Sequence, residues 1–363
     1  MNPRNDFPGH VQRLLDDPLA VARAAAQAGT RVVGYFGHDV PVALIIAADA
    51  LPVRLHGVAG RRTPRAAEFL ESAHLPEIRD LVEQWLTGAL DFMHAVIFPR
   101  SDDSAQRIYY YLCELQRRRI CGGPVPLLYD VASISRSTSR EYTLTSTRRL
   151  AQQLGSHPSR LDEAVQRVAR RAATLAEIHA RRAHAAPLPG SVAWRVARAA
   201  GCDWREEFDA AFQQWLPTAP VLPAPRRLVL AGNPAPQDSL HRAIEAAGGS
   251  VVLELTESEP VALSSQADPI EAIASQFHTR RSPVLSMRAD SDWLADRARG
   301  ARVAGVVLWL IEEDEALPWE IARQVRRLKA DLPVLLLSRQ SWSADARALT
   351  QLGEFVAGLE SQR

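Results

Sequence analysis

The sequence predicts an α/β protein of two similar lobes, each a parallel sheet covered by helices, with a helical segment ahead of the first lobe and a helical insert between the two. Three observations predict this. Short apolar, β-branched runs bounded by turn residues occur in two sets of four, the pattern of strands buried on both faces. The stretches between them carry helical periodicity. The two sets also repeat each other: RVVGYFGHDVPVALIIAADALPVRL parallels RLVLAGNPAPQDSLHRAIEAAGGSVVLEL, and HAVIFPRSDDSAQRIYYYLCEL parallels AGVVLWLIEEDEALPWEIARQVRRL.

Taken in order, residues 1–30 read as an amphipathic helical segment without the apolar stretch of a signal peptide. Residues 31–140 make the first lobe, with strands expected at 31–36, 52–55, 95–98 and 126–129. Residues 141–222 are helical, with Leu161, Val165, Val168, Ala172, Leu175 and Ile178 on one face. They end in LPTAPVLPAP, whose four prolines favour an extended link. Residues 223–363 make the second lobe, with strands expected at 227–231, 250–255, 305–311 and 333–337. Right-handed crossovers put helices on the faces of each sheet, which makes both lobes Rossmann-like. They leave the loops 37–40, 99–104, 232–237 and 312–318 at strand carboxyl ends to line a crevice.

A chain of 363 residues is long enough for two cores. Its net charge of +1 supplies no field for capturing nucleic acid, and no apolar run reaches membrane-spanning length. Nucleic acid and membrane are therefore not expected partners, and a cytoplasmic location is expected. Lys329 is the only lysine, and the arginines are spread along the chain, so this bias carries no functional weight. Cys113, Cys121 and Cys202 form no CxxC pair and read as reduced, structurally incidental thiols.

At the loops, His38 follows the first strand, and Asp102 and Asp103 follow the third. Two adjacent carboxylates can work as an acid–base pair, but Asp103 is expected to cap the helix from Ser104. GNPAP at 232–236 lacks the glycine spacing of a dinucleotide site and the lysine of a phosphate loop. It reads as a tight turn, with Asp238 or Ser239 opening the next helix. Arg54, Arg61 and Arg62 either grip phosphates or form a solvated face. Phe208, Phe212 and Trp215 keep helical spacing and are expected in the core, as is at least one of Tyr109, Tyr110 and Tyr111.

PVALIIAADALPVRL at 41–55, GNP at 232–234, IEAAGGSVV at 244–252 and GVVLWL at 305–310, in that order, resemble the subunits of the 2-hydroxyacyl-CoA dehydratase and benzoyl-CoA reductase family, including the D-component of 2-hydroxyglutaryl-CoA dehydratase. The resemblance implies a two-lobed subunit of a heterodimer, a [4Fe-4S] cluster on three cysteines, and single-electron chemistry on an acyl-CoA. The cysteine positions carry other residues here: His74 in HLPEIRD, Asp102 in DDSAQRIYYYL, and the acids Glu312, Glu313, Asp314 and Glu315 after GVVLWL. Iron–sulfur clusters need thiolates, so the family cluster is expected to be absent and no cofactor is expected. The leading expectation is a cluster-free subunit, structural or acyl-CoA-binding, paired with a cluster-bearing paralogue or with itself. Arg54, Arg61 and Arg62 are its coenzyme A phosphate contacts. Two alternatives stay open: an independent acyl-CoA enzyme using His38, His74 and Asp102, with or without a mononuclear metal on His38, His74, Asp102 and Asp314, and an acyl-CoA sensor. Polar drift on a solvated wall is the plainer account of those side chains.

Overall fold

The structure, a computed structural model, describes residues 6–132, 134, 136–183, 187–223, 226–256 and 268–360. In chain order the elements are α1 (Phe7–Asp16), α2 (Ala20–Gln27), β1 (Arg31–Phe36), α3 (Val42–Ala47), β2 (Ala50–Leu55), α4 (Pro76–Leu86), β3 (Ala95–Pro99), α5 (Asp103–Arg117), β4 (Val125–Tyr129), α6 (Ser137–Leu154), α7 (Leu161–Arg182), α8 (Gly190–Cys202) and α9 (Glu206–Trp215). They continue with β5 (Arg226–Gly232), α10 (Ser239–Ala246), β6 (Gly249–Leu255), α11 (Pro269–Thr279), α12 (Pro283–Ala289), α13 (Trp293–Gly300), β7 (Gly305–Ile311), α14 (Leu317–Leu328), β8 (Val334–Gln340) and α15 (Ala346–Gly358). The expected strands all form, with ends shifted by a few residues at most.

Two four-stranded sheets result, ordered β2-β1-β3-β4 and β6-β5-β7-β8, with every pairing parallel. The reason is visible in burial. β3 and β7 lie in the interior of their sheets with every residue buried, so AVIFP and GVVLWLI need apolar side chains on both faces. The edge strands β4 and β8 are only partly buried.

Contacts divide the chain into two compact units. One comprises Met1–Thr174, Arg198–Trp215 and Pro260–Arg280; the other comprises Leu175–Ala197, Leu216–Glu259 and Arg281–Arg363. Within the first, α11 packs on α6 and adds Ile273 and Phe277 to the core, with the Phe277 ring edge-on to Tyr129 at 5.5 Å. Phe208, Phe212 and Trp215 pack around Phe7 of α1, at 5.3, 6.0 and 5.2 Å; Phe208 and Phe212 are buried as their spacing predicts, while Trp215 is only half-buried. Arg171 is buried between the faces of Trp204 and Phe208 and bonds Asp209 and the Asp203 carbonyl, joining α7 to the segment 198–215.

In the second unit Val229, Val306, Leu308, Leu294, Ile321 and Leu328 belong to one core. Glu254 of β6 accepts from buried Arg182 at 3.1 Å and lies 3.0 Å from the ring of buried His241, tying α7 and α10 to the sheet. Such buried charges are tolerable because each is paired. No helix among the described residues is long and apolar enough to cross a membrane.

Candidate functional site

The carboxyl ends of β1, β2 and β3 gather the polar side chains of the first unit. β1 ends at Gly37, whose φ of +69° suits glycine and turns the chain into His38 and Asp39. Asp39 accepts from the Ser101 hydroxyl at 2.8 Å, and its other oxygen lies 3.2 Å from Nε of Arg280. Arg280 donates through Nη1 to the His38 carbonyl at 3.0 Å and lies over the Phe277 ring at 5.9 Å. Burial lowers the Arg280 pKa; Asp39 opposes that shift and the charge of Arg54 adds to it. Arg54 thus lies within electrostatic reach of Arg280, and a Cβ at Gly201 would meet its side chain at 3.0 Å.

Beside Arg54, the Trp204 indole donates to the Tyr35 hydroxyl at 2.9 Å. Burial pushes the Tyr35 pKa up to about 12 although Arg54 pulls it down. Burial likewise pushes the Cys202 thiol up to about 12, so it is no thiolate nucleophile at neutral pH. The chemistry this end offers is recognition of oxygen: two neighbouring guanidiniums, a serine hydroxyl and one carboxylate.

Asp102, and not Asp103, caps α5: its Oδ1 accepts from the Ala105 amide at 2.9 Å. The expected cap is corrected by one residue, and Asp103 instead pairs with Arg107 at 2.9 Å on the exposed first turn. DDS offers three successive capping residues, and only the extended φ, ψ of Asp102 decides among them. Burial raises the Asp102 pKa; the Ala105 and Ser104 amides oppose this, and the charges of Asp39 and Asp103 reinforce it.

His74 lies buried ahead of α4, with Nε2 3.2 Å from Glu71 and its ring edge-on to Tyr111 at 5.8 Å. The loop after β2 is held by α4 acids: Asp80 accepts from the Val58 amide at 2.9 Å and from Gln84 at 2.8 Å, and lies 3.3 Å from Arg61. Burial raises the Asp80 pKa. Among the three arginines read as phosphate contacts, Arg54 is part-buried in β2, Arg61 faces Asp80, and Arg62 is exposed.

In the second unit GNP forms a rigid corner. A Cβ at Gly232, whose φ is +114°, would stand 2.2 Å from the Trp309 carbonyl oxygen, so only glycine lets β5 approach β7 there. Asn233 accepts from the Ile311 amide at 3.0 Å and donates to Asp314 at 2.7 Å. The other Asp314 oxygen accepts from the Ala316 and Leu317 amides at 3.1 and 3.0 Å. Asp238 precedes α10 as expected, but its carboxylate pairs with Arg195 at 2.6 Å and makes no cap bond.

Among the described residues, no three His, Cys, Asp or Glu side chains come together as a metal-binding group. Asp102 and Asp314 instead direct their carboxylates to backbone amides. Sequence reasoning missed Arg280 and Ser101, because Arg280 reaches His38 across 242 positions and no local pattern marks it. The model of one protein family, described as 2-hydroxyglutaryl-CoA dehydratase, D-component, matches residues 38–358. No curated protein matches the chain.

Proposed function

Since the chain belongs to the 2-hydroxyglutaryl-CoA dehydratase D-component family, we propose that it works as a subunit of that kind without a [4Fe-4S] cluster, the structural or acyl-CoA-binding partner of a cluster-bearing paralogue in the cytoplasm. The observation that carries this reading is the donor set at the three positions where the resemblance expects cysteine. His74, Asp102 and the acids 312–315 offer imidazole and carboxylate, which do not suit a cluster that needs thiolates. Asp102 is already engaged in capping α5 and Asp314 in holding the turn ahead of α14, work that the fold needs whether or not a cofactor is near. Electron transfer then falls to the partner. In this subunit Arg54, Arg61 and Arg62 meet coenzyme A phosphates as charge-assisted donors, with Arg280 beside Arg54.

Anaerobic purification of the tagged chain from its native host tests the proposal. A second, cysteine-bearing family subunit is expected to co-purify, with iron and acid-labile sulfide confined to that subunit after separation. Stoichiometric iron and sulfide on the isolated chain, or a chain recovered alone that binds no acyl-CoA, would sink it.

A further inference from the structure

Ahead of the stretch that matches the family, α1 and α2 line with Arg205 a half-open groove of about 420 Å³, within the size range of small-molecule sites. Leu14, Val21, Ala24 and Ala25 line it with apolar surface, and the alanines of α2 leave space that larger side chains would fill. His10, Arg13 and Arg205 supply its polar part. Asp203 fixes two of these three: Arg205 binds it through Nε and Nη2 at 2.9 and 2.7 Å, and His10 through Nε2 at 2.9 Å. Asp203 is itself fully buried, so it holds these groups without presenting its own charge to solvent. Among the described residues Arg13 pairs with Asp6, at 3.6 Å, with the two side chains 42% and 59% exposed, a pairing that contributes little in water.

We propose that this groove binds a small amphiphilic carboxylate, its alkyl chain on the apolar lining and its carboxylate held by Arg13 and Arg205. Charge complementarity selects the head group, because a carboxylate replaces the weak Asp6 pairing with charge-assisted hydrogen bonds. The lining selects the tail, since it offers apolar surface with no hydrogen-bonding side chain among Leu14, Val21, Ala24 and Ala25. The site is independent of the reading as a dehydratase-family subunit and would stand if that reading failed.

Calorimetric titration of the full chain with octanoate tests it, with octanol and octyltrimethylammonium as head-group controls. Octanoate is expected to bind saturably at one site and at least about ten-fold more tightly than either control. Ala24→Leu, which fills the groove, is expected to weaken octanoate at least about ten-fold, and Arg13→Gln about five-fold. Ala24 and Arg13 are exposed, so the circular dichroism and melting of both variants should match those of the parent chain. Failure of octanoate to saturate, equal binding of all three amphiphiles, or octanoate binding unchanged in both variants would overturn the proposal.

Discussion

Asp102 places a carboxylate at the start of α5, where two opposite demands meet. The cap needs an oxygen acceptor, while burial and the neighbouring Asp39 and Asp103 disfavour its charge. Its pKa is raised in the folded chain, so ionised Asp102 costs stability at neutral pH, a cost that disappears as pH falls through the raised value. Asparagine caps as well as aspartate and carries no charge. Asp102→Ala should therefore lose about 1 kcal/mol in urea unfolding, while Asp102→Asn should lose nothing and flatten the acid-side slope. Equal losses in both variants would refute the capping role. Cys202 gives a second expectation at this scale. With its thiol buried and its pKa near 12, it should resist iodoacetamide at pH 7.5 by mass spectrometry, whereas the part-exposed Cys113 and Cys121 react. Which thiol is buried was not legible in the sequence, since one cysteine in a helix looks like another until the fold that buries Cys202 is known.

At the scale of elements, α1 is anchored by Phe7 in an aromatic nest and by His10 on Asp203. Burial alone would raise the Asp203 pKa, but hydrogen bonds from Arg205 and His10 outweigh it and hold the carboxyl well below the usual range. A depressed carboxylate stabilises the fold above its unfolded pKa of about 4, and that stability is lost as pH falls from there toward the folded value. Melting points measured from pH 7 to pH 2 should drop steeply below about pH 4, and Asp203→Asn should flatten that drop while costing about 3 kcal/mol at pH 7. An unchanged acid profile in the variant would remove Asp203 from the account. Strands were the most legible elements, because a run such as VVLWL buried on both faces has few other solutions. The His10–Asp203 contact was not legible, since it joins residues 193 positions apart with no pattern between them.

At the scale of the molecule, the repeat in the sequence correctly announces two parallel four-stranded sheets, because each set of strands carries its own buried pattern. It does not announce that α11, which follows β6, belongs to the unit built on the first sheet. Amphipathic spacing says that a helix has an apolar face but not which core receives it. Phe277→Ala should cost about 3 kcal/mol and speed amide exchange in β4 and α6, where Tyr129 and the α11 contact lie. Exchange accelerated only in β5–β8 would contradict the assignment of α11.

That return of α11 also sets an order on biosynthesis. Translation runs from the amino terminus, so β1 to β4 leave the ribosome well before Ile273 and Phe277 exist. The nascent first sheet must wait, incompletely covered, while more than a hundred further residues are made. A chaperone that shields it during this interval should raise the yield of native protein, and stalling synthesis before residue 269 should leave it open to protease.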